Sequence, residues 1–129
     1  TVQHPLPSAK RCLALGQAVN RALQSWTGNE RIVIIGTGGL SHQLDGERAG
    51  FINRDYDRFC MDNLSIDPAA LTQDSIHEIV RKSGTQGVEV LNWIAARGAL
   101  GADPVHEIHR NYHIPISNTA AATMLMEPA

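Results

Sequence analysis

The chain has 129 residues, 43% hydrophobic and 19% charged, with a formal net charge of −2. That is one domain's length with enough apolar material for a core. The near-neutral, interspersed charge and the 5% aromatic content argue against a nucleic-acid or anionic-membrane surface, and no apolar run reaches the ~20 residues of a membrane span.

Thr1–Pro7 reads as an extended lead-in, because Pro5 and Pro7 oppose helix. Ser8 is placed to cap a helix over Ala9–Trp26, whose apolar residues Cys12, Leu15, Val19, Leu23 and Trp26 share one face. Gly16 interrupts that face and permits close packing. Thr27-Gly28-Asn29 stops the helix. Ile32–Ile35 is β-branched and apolar on both sides, which predicts a buried central strand. Gly36–Asn53 is too long and polar for a simple connection, and such loops tend to carry function.

Asn53 or Asp55 can cap a helix over Tyr56–Leu64. Asp67-Pro68 opens a short helical turn. Asp74 can cap a helix over Ser75–Lys82, with Ile76, Ile79 and Val80 inward. Ser83–Gly87 breaks the chain before a strong helix over Val88–Leu100, with Glu89 in its first turn and Arg97-Gly98 at its end. Val105–Ile114 alternates as a strand, Pro115–Thr119 turns, and Ala120–Met126 forms a last strand. The predicted class is α/β: a layered mixed β-sheet flanked by helices, with residues 1–129 a single region. Cys12 and Cys60 lie far apart with no CxxC, which predicts two buried reduced thiols and a cytoplasmic protein.

The functional signal centres on His42, which follows Ile32–Ile35 and Gly36-Thr37-Gly38-Gly39. A histidine at a strand's carboxyl edge in a glycine loop can be a base, a metal ligand or a structural hydrogen-bonder. Phosphate cradling fails on pattern: Gly36-x-Gly38-x-x-Ser41 lacks the third glycine of a dinucleotide loop, and no G-K-[ST] is present. Glu89 is either a helix-dipole acid or an ionised carboxylate for a cation. Ser117-Asn118-Thr119 is either a polar turn or a carboxylate cradle. On a regular strand His109 and His113 share a face opposite His106, which opposes a zinc site there.

Three blocks extend the reading: GTGGLSHQLDGERAGFINRDYD, SGTQGVEVLNWIAARGAL and YHIPISNTA. Together they resemble the class III extradiol ring-cleavage dioxygenases, of the protocatechuate 4,5-dioxygenase catalytic β subunit and gallate dioxygenase type. The resemblance implies Fe(II), held by two histidines and one glutamate, and O2-dependent extradiol cleavage of a catechol-type acid such as protocatechuate or gallate. It implies Glu89 as the glutamate ligand, His42 as the acid/base histidine, Ser117 and Asn118 as the carboxylate-binding turn, and Thr37 and Gly38 as pocket lining beneath His42. The two histidine ligands have no counterpart in this sequence. The chain is therefore expected to be the C-terminal part of a longer catalytic domain, with the missing half or a companion chain supplying those ligands. A small α subunit and an oligomer are also implied. The competing expectation is an iron-free structural or binding subunit of the same fold.

Overall fold

A computed structural model describes residues 2–129. Its elements are α1 (Ala9–Gln24), α2 (Arg54–Ile66), α3 (Ile76–Ser83), α4 (Val90–Ala99), β1 (Val105–His113) and β2 (Ala121–Pro128), with single 3₁₀ turns at Ala70–Thr72 and Gln86–Glu89. The class is α/β as predicted, and β1 and β2 form a two-stranded antiparallel sheet.

Local chemistry explains the helix starts. Ser8 Oγ accepts from Arg11 N, and Asn53 Oδ1 accepts from Tyr56 N. At α3 the cap is Ser75 rather than Asp74: Ser75 and Glu78 form a reciprocal capping box. Asp74 instead holds Lys82 Nζ through both oxygens at 2.7 Å.

The core joins Leu40, Met61, Leu64, Leu71, Ile79, Leu91 and Ile94 with both cysteines, which are free thiols. Helices α1 and α4 cross at backbone contact. A methyl on Gly16 would lie 2.0 Å from Ala95 O, and one on Gly98 would lie 2.5 Å from Leu13 O. The expected close packing at Gly16 is present, but it rotates α1 away from the predicted face. Ala9, Cys12 and Gly16 are buried, whereas Leu15, Val19 and Trp26 are exposed. Small residues face α4 because only they allow the two backbones to meet. Arg97, predicted to mark a helix end, is 3% exposed. It donates to the carbonyls of Leu64, Gly101 and Asp103, closing the ends of α2 and α4.

Two further expectations change. Ile32–Ile35 is not a buried strand: the segment belongs to no sheet, and all four side chains are exposed. The run has strand chemistry, but no strand among the described residues pairs with it. In β1 a bulge between Glu107 and His109 shifts the register, so Val105 and Glu107 face inward before it and Arg110 and Tyr112 after it. His106, His109 and His113 therefore all lie on the exposed side, not on opposite faces. No cluster that could hold a metal occurs among the described residues.

Candidate active site

The loop after Gly36 is gripped by the start of α4. Positions 89, 92 and 93 share one helical face. Asn92 Nδ2 donates to Thr37 O at 3.1 Å, and Trp93 Nε1 donates to Gly38 O at 3.0 Å. Glu89 makes no bond to its own helix start; its Oε2 accepts from Gly39 N at 2.6 Å. Gly38 has φ +111°, and a Cβ there would lie 2.5 Å from Glu89 Cβ. The chain passes the glutamate only because residue 38 has no side chain.

Leu40–His42 then runs as a rung between two supports. Leu40 N donates to Ala120 O at 2.9 Å, and Ala120 N donates to Ser41 O at 3.1 Å. On the other side His42 N donates to Ser83 O at 2.8 Å. Gly84, with φ +88°, lies so close that a Cβ would sit 2.2 Å from His42 O. Below the rung is a buried carboxylate that the sequence reading did not single out. Asp57, 1% exposed, accepts from Ser41 N at 2.7 Å, Ser41 Oγ at 2.6 Å and Tyr112 OH at 2.7 Å. Ser41 Oγ in turn accepts from Asn53 N at 2.8 Å. The signal was legible: Asp57 shares the i, i+3, i+4, i+7 stripe with Cys60, Met61 and Leu64, which places an acid on the buried face of α2. Burial, followed by this hydrogen bond to Asp57, holds the Tyr112 phenol well above its usual range.

His42 is 5% exposed. Its Nδ1 lies 2.9 Å from Leu40 O, a carbonyl that can only accept, so Nδ1 carries the proton in the neutral ring. Nε2 is then the basic nitrogen, and it faces Glu89 Oε2 at 3.8 Å. That distance exceeds a direct hydrogen bond and leaves the two groups bordering one space. Glu89 is about one-third exposed, so its carboxylate is open to an incoming ligand. Glu89 and His42 are thus one carboxylate donor and one base side by side. A metal at this position needs further donors, and no group of three potential ligands occurs among the described residues.

The other predicted residues lie apart. Thr37 borders an apolar groove between α1 and α4, of about 340 Å³, lined by Leu15, Val19, Ile34, Ile35, Ala95 and Ala96 among others. Ser117 and Asn118 are exposed in the β1–β2 turn, where Asn118 adopts φ +53°, a conformation its side chain tolerates. Asn118 also borders a second cleft of about 490 Å³ with Ile52, Asn53, Arg54, Asp55 and Ile114. The turn connects to His42 through the Ala120 pairing rather than by side-chain contact. The excursion 43–50 closes on itself through Gly50 N to Gln43 O at 2.8 Å, with Arg48 stacked over Phe51 and bonded to Arg81 O.

The family described as the catalytic LigB subunit of aromatic ring-opening dioxygenase matches residues 1–122. A gallate dioxygenase from Pseudomonas putida is 42% identical over 126 residues, which is 98% of this chain and 36% of that protein. The chain therefore spans about a third of the length of the curated relative it matches.

Proposed function

The chain belongs to the family of catalytic LigB subunits of aromatic ring-opening dioxygenases, and from that premise we propose that it forms one wall of an extradiol dioxygenase site for a catechol-type acid of the protocatechuate or gallate kind. The observation that carries this reading is the pairing of His42 Nε2 with Glu89 across 3.8 Å at the mouth of the glycine loop. Iron(II), with Glu89 as one of its ligands and two histidines from outside this chain, would supply the electron transfer that lets O2 react with the ring.

The chain's own residues then have distinct tasks. Glu89 accepts from Gly39 N at Oε2, which fixes the carboxylate beside His42, where it would serve as one ligand of the iron. His42 removes a proton from a substrate hydroxyl at Nε2 and later returns one; the Leu40 carbonyl keeps the ring in the tautomer that makes this possible. Asp57 holds the Leu40–His42 rung through Ser41 and so positions the base without touching substrate. Ser117 and Asn118 orient the substrate carboxylate at the rim. The two free thiols are consistent with a reducing, cytoplasmic setting.

The test uses the complete protein that carries this chain, with iron content and O2 uptake on protocatechuate and gallate as readouts. His42→Ala is expected to keep iron while turnover falls about 10²–10⁴-fold, the usual size of a lost acid/base contribution. Glu89→Ala is expected to lose iron. An unchanged kcat in His42→Ala removes the proton-transfer role, and an iron-free wild type favours a structural subunit instead.

A further inference from the structure

We propose that Trp93 is a positioning residue for Glu89: its indole fixes the peptide group that holds the carboxylate. The effect on metal binding rests on the proposed role of Glu89 as an iron ligand.

Two hydrogen bonds at the glycine loop end on one and the same peptide. Gly39 N donates to Glu89 Oε2 at 2.6 Å, and Gly38 O accepts from Trp93 Nε1 at 3.0 Å. That nitrogen and that oxygen belong to the Gly38–Gly39 bond, which is trans. A trans peptide is planar, and its N–H and C=O point in opposite directions. Glu89 and Trp93 stand four positions apart, one turn of helix, so the peptide bridges two side chains of one face. Its positive end meets the carboxylate, and its negative end meets the indole N–H. Hydrogen bonds in such a chain polarise one another, so the indole strengthens the amide that Glu89 uses.

Packing makes this support necessary. A Cβ on residue 38 would lie 2.5 Å from Glu89 Cβ, and one on residue 39 would lie 2.9 Å from Thr119 Cγ2 and 3.1 Å from His42 Cε1. Both positions therefore exclude a side chain. Glycine on each side also lets the peptide plane rotate, because ψ of Gly38 and φ of Gly39 are both permissive. Turned over, the group would present Gly38 O to the carboxylate, and two acceptors would face each other. The bond from Trp93 selects the orientation that offers Glu89 a donor. Trp93 is buried, and a Cβ on Gly36 would lie 3.1 Å from its Cα, so the indole is anchored from behind. Asn92 grips the loop as well, but at Thr37 O, which belongs to the preceding peptide and not to the one bonded to Glu89.

The experiment uses the complete protein that carries this chain, first freed of metal. Trp93→Phe keeps an aromatic ring and removes the donor. Hydrogen exchange is read at the Gly39 amide, with the Leu40 amide, bonded to Ala120 O, as internal reference. Gly39 exchange is expected to quicken about 10-fold relative to Leu40, the size of one lost hydrogen bond. Anaerobic equilibrium dialysis with Fe(II) then measures affinity, which is expected to fall about 10-fold. If Trp93→Phe does not fold, β-(3-benzothienyl)alanine at position 93 serves for both measurements, since it carries sulfur in place of the N–H within nearly the same outline. Equal acceleration at Gly39 and Leu40 marks a packing role alone and overturns the proposal. Unchanged Gly39 exchange, or unchanged Fe(II) affinity where the wild type binds iron, overturns it too. A wild type that binds no Fe(II) defeats the dioxygenase reading instead, and the exchange rates still decide whether Trp93 fixes the peptide.

Discussion

Gly38→Ala tests whether the glycine loop and Glu89 are built as one unit. The added Cβ would lie 2.5 Å from Glu89 Cβ and 2.9 Å from Glu89 Oε2, where nonbonded carbons prefer about 3.5–4.0 Å. Glu89 Cβ is fixed to the backbone at the start of α4 and cannot swing away as a side-chain tip would. The variant also keeps φ at +111°, which costs an alanine about 1–2 kcal/mol. Overpacking adds about 1–3 kcal/mol, for a total of about 2–5 kcal/mol. Gly46→Ala provides the control. Gly46 also has positive φ, +74°, but its nearest neighbour is the Gln43 side-chain nitrogen at 3.6 Å, so only the backbone cost of about 1–2 kcal/mol applies. Denaturant unfolding of both variants measures the difference, and, with Glu89 as the proposed iron ligand, iron content in the complete protein reports its displacement. Gly38→Ala is expected to lose stability and iron together, while Gly46→Ala keeps its iron. Equal stabilities for the two variants, or full iron in Gly38→Ala, would refute the close packing of loop against glutamate.

Two other outcomes follow from buried groups. Asp57→Ala strands three donors beneath Ser41 and is expected to cost about 3 kcal/mol or more, whereas Asp57→Asn, which keeps an acceptor, costs roughly half as much; chemical denaturation ranks them, and equal costs would mean the network is not holding the rung. Burial, reinforced by the nearby Asp57, pushes the Cys60 thiol up to about 12, so it stays protonated and inert to thiol reagents at neutral pH until the protein unfolds. Because this value is raised, its contribution to stability is fully present below the ordinary thiol value and is lost as pH rises through about 12; rapid labelling of native Cys60 at pH 7 would contradict the burial.

The sequence revealed most where chemistry is local. Ser8 and Asn53 cap their helices because a side-chain oxygen three residues before a free amide suffices. His42 and Glu89 were paired from motif alone, and the structure brings them to 3.8 Å across 47 residues of chain. What escaped depends on partners distant in sequence. Hydrophobicity points to Leu15 and Val19 as the inner face of α1, whereas the crossing with α4 selects small residues. The bulge in β1 follows from its pairing with β2, which the alternation of β1 alone does not encode. Asp57 stands in the first turn of α2, and only its stripe with Cys60, Met61 and Leu64 marks it as buried. Ile32–Ile35 shows the same limit in reverse: its composition calls for burial, and all four side chains are exposed among the described residues.

The Ala120 pairing has a consequence for how specificity can change in such an enzyme. Ala120 follows the Ser117–Thr119 turn directly, and its amide and carbonyl both bond to the Leu40–Ser41 backbone beside His42. Thr119 packs on Gly39, where an added methyl would meet it at 2.9 Å. The Ser117–Thr119 turn and the loop that carries His42 are thus geared together through backbone bonds. Substitutions in the turn would be felt as altered turnover as well as altered affinity.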